Sequence, residues 1–137
     1  MSSIFQKMIS GDIDTLGTWS KDPVTQKILC RSELFGSVPA GKWLKLEYIL
    51  AIVKGFENAD IGTSGEISFE NGSNSKRIAV QFTSSVENGK AIARAGQAIQ
   101  LLVPANAKII VTVPLFFTGS GPGGGAEVAL TGVYVNS

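Results

Sequence analysis

The side chains able to do chemistry are few in this sequence, and their spacing does not assemble a site. The chain contains no histidine and one cysteine, Cys30. Histidine is the usual general base near neutral pH and the commonest metal ligand, so two large classes of active site lose their first component. A nucleophilic thiolate needs an electropositive neighbourhood and a base to activate it. Cys30 sits in Lys27-Ile28-Leu29-Cys30-Arg31, a strand-like run in which a free thiol packs as a small hydrophobe. A lone cysteine also rules out an internal disulfide.

Paired acids are the next candidates. A glycosidase holds two carboxyl groups roughly 5–10 Å apart across a cleft. Glu66 with Glu70, and Asp12 with Asp14, lie four and two residues apart, which on an extended chain puts both acids on one solvated face. Asp12, Asp14, Glu57 and Asp60 offer oxygen ligands of the kind calcium takes, but no loop has the acidic density of a dedicated calcium motif. The stretch Gly119-Ser120-Gly121-Pro122-Gly123-Gly124-Gly125 has the glycine content of a phosphate loop. It lacks the closing Lys-Ser/Thr pair, and a strand pattern follows it where a helix is needed. Trp19 and Trp43 could stack on a sugar, although an indole more usually ends in a core or an interface. These residues predict a protein that is not an enzyme, with no catalytic residues, no metal site and no cofactor. Its contacts are expected on surfaces. Trp19 is a candidate interface residue, and the turns containing Asn71, Gly72, Ser73, Gly123 and Gly124 are candidate ligand or partner loops.

The bulk composition narrows the class further. With 137 residues, 44% hydrophobic and only 17% charged, the chain is the size of one domain and can close a core without disulfides or metals. Part of its surface must then be uncharged or covered by a partner. The net charge is +1, and Lys76-Arg77 is the only adjacent basic pair; a nucleic-acid binder normally shows a basic stripe, so no nucleic-acid partner is expected. No apolar run reaches the roughly 18–20 residues of a membrane span. Met1-Ser2-Ser3 lacks the positive start of a secretory signal, so the chain is expected to be made in a cytoplasm.

Hydrophobic periodicity then supplies the elements that must carry these residues. Ile4, Phe5, Met8 and Ile9 recur at helical spacing, predicting a short amphipathic helical arm over residues 1–11 that lies on its own domain or grips another subunit. These four residues are the main candidates for a subunit interface. Residues 12–137 read as a single all-β domain. Trp43 to Val53 alternates at its start, with Leu44, Leu46, Tyr48, Leu50 and Ile52 on one face; a strand is favoured over a helix. The clearest hairpin runs from Gly65 to Phe82, with Ile67, Phe69, Ile78, Val80 and Phe82 on its apolar face and Asn71 to Ser75 between its legs. Lys108 to Phe117 is apolar on both faces and therefore expected to be covered on both, while Pro114 marks an edge, bulge or bend. Ala126 to Val135 alternates again and closes the domain. About seven to nine short strands separated by turns point to an antiparallel jelly roll or β-sandwich.

The closing segments carry a resemblance. A strand from Gly96 to Val103, the turn Pro104-Ala105-Asn106, the apolar strand from Lys108, a glycine-rich loop, and a final strand with Leu130-Thr131-Gly132-Val133 resemble in their rhythm the last strands of small viral and phage single jelly-roll structural proteins. Decoration proteins, head fibres, capsid-associated proteins and trimeric TNF-like jelly rolls share this cadence. The resemblance implies a virion location, a homo-oligomer (a trimer above other orders) and contacts with other capsid proteins. A carbohydrate- or receptor-binding β-sandwich, lectin-like or at a fibre tip, is the alternative expectation.

Overall fold

The chain folds as one long hairpin rolled onto itself. In the computed structural model, which describes residues 3–21, 28–54, 60–61, 64–118, 121–123 and 125–136, the elements in order are β1 (Ser3–Asp12), α1 (Ile13–Leu16), β2 (Thr18–Lys21), β3 (Ile28–Ser32), β4 (Lys42–Lys54), β5 (Asp60–Ile61), β6 (Ser64–Asn71), β7 (Asn74–Gln81), β8 (Thr83–Glu87), β9 (Lys90–Val103), β10 (Lys108–Thr118), β11 (Gly121–Gly123) and β12 (Gly125–Asn136). The antiparallel pairs nest. β6 pairs with β7 at the tip, β4 with β9 outside it, then β3 with β10, and β1 with β12 at the open end. Rolling this ladder up brings β12 beside β4 and β10 beside β6. The result is two sheets, β1-β12-β4-β9-β8 and β2-β3-β10-β6-β7, with β5 and β11 added to β10. This is jelly-roll winding, the double Greek key expected of the fold class.

One apolar cluster fills the space between the sheets. Leu44, Leu46, Ile49, Ala51 and Val53 of β4 meet Ala93, Leu101 and Val103 of β9, Val128 and Leu130 of β12, and Ile67, Val80, Ile109 and Val111 from the facing sheet. Most of these side chains alternate along their strands with exposed ones, the pattern that pleating imposes. Each large one contributes about 1.5–3 kcal/mol by leaving water.

The predicted helical arm is a strand. β1 pairs with β12 over its whole length, from Ser3 opposite Tyr134 to Asp12 opposite Gly125. Phe5 and Ile9 enter the core, and Ile4 and Met8 stay outside, 75% and 67% exposed. The spacing 4, 5, 8, 9 satisfies a helix, but 5 and 9 are also in phase for a strand. A sheet edge offers backbone partners that an isolated short helix lacks. Only one helical turn follows, and Asp12 caps it by accepting the Thr15 amide proton at 3.0 Å.

β4 is a strand as expected, with one change of phase. Between Leu46 and Tyr48 the pairing with β12 slips by one residue, the extra residue being Glu47. Leu44 and Leu46 point inward, but beyond the bulge it is Ile49, Ala51 and Val53 that are buried. Tyr48 and Leu50, 42% and 51% exposed, therefore leave the face that simple alternation gives them. Gly132 sits opposite the irregularity; a Cβ there would come within 2.2 Å of the Lys45 carbonyl oxygen.

Two tight turns set the remaining register. Gly72-Ser73 closes β6–β7 with a positive φ (62°) at Gly72, and Asn88-Gly89 closes β8–β9 with positive φ at both residues (53° and 76°). The second is the type I′ signature. β10 is covered on both faces: Ile109 and Val111 point into the core. Ile110, outside that cluster, is still only 2% exposed. Pro114 falls between the last β10–β6 pair, at Thr112, and the first β10–β5 pair, at Phe116. A residue without an amide proton suits that change of partner.

Candidate interaction surface

Of the acids paired for catalysis, Glu66, Glu70 and Asp12 are engaged elsewhere, and the Asp14 side chain lies outside the described residues. Glu66 and Glu70 lie on the outer face of the β2-β3-β10-β6-β7 sheet and pair with Arg77 at 3.7 Å and Arg31 at 3.1 Å. Arg31 also reaches Glu33 at 3.6 Å, and Lys108 meets Glu33 at 3.3 Å. This charged lattice borders a shallow groove of about 170 Å³ that includes Ile110, Ser68 and Lys76; the aliphatic stems of such charged residues can cover apolar surface. Asp12 is occupied as the α1 cap, bonding both the amide and the hydroxyl of Thr15. Among the described residues no group of three or more Cys, Asp or Glu could hold a metal ion. The Cys30 thiol is fully buried, and desolvation pushes its pKa up, away from thiolate chemistry.

The opposite outer face, on the β1-β12-β4-β9-β8 sheet, differs in kind. Cross-strand register places Met8, Ala129, Leu50 and Gly96 in one row, and Gln6, Thr131, Tyr48 and Ala98 in the next. Beyond them come Ile4, Val133, Lys45 and Leu102. Ile4, Met8, Tyr48, Leu50 and Leu102 are all exposed. Small residues in the middle keep the surface low: a Cβ on Gly96 would meet the Tyr48 hydroxyl at 2.8 Å, so the Tyr48 side chain reaches over the glycine. Charge is sparse: Glu127 and Arg94 stand in the row of Ile52, while Lys45, in the row of Ile4 and Leu102, and Glu47, at the bulge, lie among the apolar rows. Clustered exposed apolar side chains framed by polar ones are the usual mark of an interaction surface.

The sheet edges also differ. β2 has four residues. β7 is clamped by a side chain: Gln97 donates to the Ala79 carbonyl at 3.0 Å and accepts from the Gln81 amide at 3.3 Å. β8 (Thr-Ser-Ser-Val-Glu) is exposed throughout, and Glu87 pairs with Arg94 beside it. That pair lowers the Glu87 pKa, first through the hydrogen bond from Arg94, and raises that of Arg94. β1, by contrast, is ten residues long and, among the described residues, pairs on one side only.

Of the interface residues expected from sequence, Ile4 and Met8 lie on this surface, whereas Phe5 and Ile9 are committed to the interior. Phe5 packs edge-on against Tyr134 with ring centroids 5.7 Å apart. Trp19 falls in β2 opposite Cys30; its side chain lies outside the described residues. Asn71, Gly72 and Ser73 form the exposed β6–β7 turn, where the Asn71 amide nitrogen donates to the Ala105 carbonyl at 3.4 Å. Gly123 pairs with Phe116 in β11, and Gly124 lies outside the described residues, as does Glu57. The β6–β7 turn belongs to the other sheet and is not brought onto the apolar face. Tyr48 and Leu50 were missed as surface residues because the Glu47 bulge changes the phase of β4, and Gly132 opposite a Lys-Leu-Glu alternation was the available signal; Leu102 alternates with buried Leu101 and Val103 in β9, where no face was assigned from sequence. No protein-family model matches the chain, and a search of curated proteins finds nothing similar to it.

Proposed function

We propose that this chain is a structural subunit of a viral or phage particle, capsid-forming or decorating, which works by self-assembly and not by catalysis. The observation that carries the reading is the largely apolar outer face of the β1-β12-β4-β9 layer, where Ile4, Met8, Tyr48, Leu50 and Leu102 are in contact with solvent and charges, Lys45 and Glu47 among them, are few. A chain of this charge and size gains by covering such a surface, and association supplies the cover. The jelly-roll winding supports the same reading, since capsid and lectin domains use it, although fold alone does not assign function. The other subunits of the shell are the natural occupants, with copies of this chain first among them.

The test has two parts. Light scattering on purified protein should show concentration-dependent association, and antibody against the chain should label intact purified particles from the host in which the reading frame resides. A dilute and concentrated chain that is equally monomeric, together with particles that carry none of it, would overturn the proposal.

A further inference from the structure

We infer that β1 is the assembly edge: it pairs antiparallel with β1 of a second copy about a twofold axis at Gln6, joining two five-stranded layers into one continuous sheet. This rests on the self-assembly reading and names its contact. A free strand edge is a template for another chain, and folded proteins blunt such edges with short strands, charge or a covering group. Among the described residues, three of the outer strands of the two main sheet orders are blunted in those ways: β2 by its four residues, β8 by its five residues and the Glu87–Arg94 pair (Val86 being its one apolar side chain), and β7 by the Gln97 side chain bonded to its free backbone groups. β1 is the long one: Ile4 and Met8 stand on it 75% and 67% exposed, and its one charge before Asp12, Lys7, is engaged on the inner side, donating to the Phe35 carbonyl at 3.5 Å.

The sequence of β1 is self-complementary in one register. With Gln6 opposite Gln6 of the second copy, Ile4 meets Met8 on the outer face twice over, and Phe5 meets Lys7 on the inner face. Like charges are never opposed. Moving the axis to Lys7 sets two lysines against each other, which is unfavourable for directly opposite strand residues. Moving it to Phe5 sets Ile4 against Gln6 and leaves Met8 without an apolar partner. The Gln6 register also keeps the outer apolar faces of both copies on the same side, so the surface described above doubles in extent. About seven paired residues, at ~3.4 Å each and with a sheet thickness of ~10 Å, bury on the order of 500 Å² in total. That is below the ~1,000 Å² of an independently stable interface. The contact is therefore weak alone and is reinforced when further contacts hold the copies together.

Cysteine scanning along β1 of the full chain tests the register. Opposed residues of antiparallel strands lie within disulfide reach, and the native Cys30 is buried. Under mild oxidation at high concentration Gln6→Cys should give a covalent homodimer. Ile4→Cys and Met8→Cys should link to each other when mixed but only poorly to themselves, and Met8→Lys in the Gln6→Cys background should abolish the product. Equal cross-linking at Ile4, Gln6, Met8 and Ser10, or none at Gln6, would overturn the proposal. Wild-type assembly without cross-linking at Gln6 removes the edge contact and leaves the self-assembly reading standing. Cross-linking at Gln6 in a chain that never passes beyond a dimer supports the edge and counts against the particle role.

Discussion

Replacing Gly132 by alanine should cost far more than replacing Gly96, although both glycines lie in the same sheet. At Gly132 the new methyl would stand 2.2 Å from the Lys45 carbonyl oxygen and 3.0 Å from the Leu46 Cα. Both are backbone atoms of the paired strand, so no rotamer change relieves the contact. Against an optimal separation of ~3.5 Å the strands must part by about 1 Å. Forced overpacking of this kind costs about 1–3 kcal/mol, a fall in Tm of roughly 3–10 °C for a domain of this size. At Gly96 the methyl meets the Tyr48 hydroxyl at 2.8 Å, the far end of a half-exposed side chain that can swing aside. Alanine is also the better strand residue, so the net change there should stay within about 0.5 kcal/mol. Differential scanning calorimetry of the two variants reads the difference. A Gly132→Ala protein that melts within about 1 °C of the parent would refute the bulge geometry, and with it the reason Tyr48 and Leu50 face outward.

The remaining predictions concern chemistry at single groups. Cys30, buried with its pKa raised, should stay inert to thiol reagents in the native protein and react on addition of denaturant; rapid native labelling would contradict its place in the core. Glu87 is held below the ordinary carboxylate range by Arg94. Its folded pKa is depressed, so whatever stability the pair gives is present above the ordinary glutamate range and is lost as pH falls through the folded value. Arg94→Met should raise the Glu87 titration midpoint in a carboxyl-detected NMR experiment; an unmoved midpoint would break the assignment. Gln97→Ala removes two hydrogen bonds from the β7 edge, at about 0.5–1.5 kcal/mol each, and should increase aggregation on heating. Unchanged melting and solubility would show that the clamp does not protect that edge.

The sheet architecture was legible where periodicity and turn chemistry agreed. The hairpin around Gly72 and the strands from Gly96 to Val103 and from Ala126 to Val135 alternate cleanly, and their register follows from burying one face. Ser3 to Asp12 was not legible as a strand, because apolar residues at 4, 5, 8 and 9 fit a helix, and pairing with β12 is decided 113 to 131 residues away in sequence. The Asn88-Gly89 turn carries the strongest short hairpin signal, yet the five-residue strand before it is exposed along its whole length and shows no apolar alternation to flag it. The residue types, above all the missing histidine, were readable directly and are the basis for expecting no catalytic site. The surface was not, because a single inserted residue, Glu47, exchanges the inner and outer sets of β4 beyond it.

The central claim is that the outer face of the β1-β12-β4-β9 layer is covered in the working assembly. Sedimentation velocity of the full chain against Leu50→Lys, run from micromolar to millimolar concentration, tests it most directly. Leu50 is 51% exposed in the isolated subunit, so the variant should keep the parent's melting temperature while losing its association. A variant that associates as strongly as the parent, or a parent that stays monomeric across the range, would contradict the account.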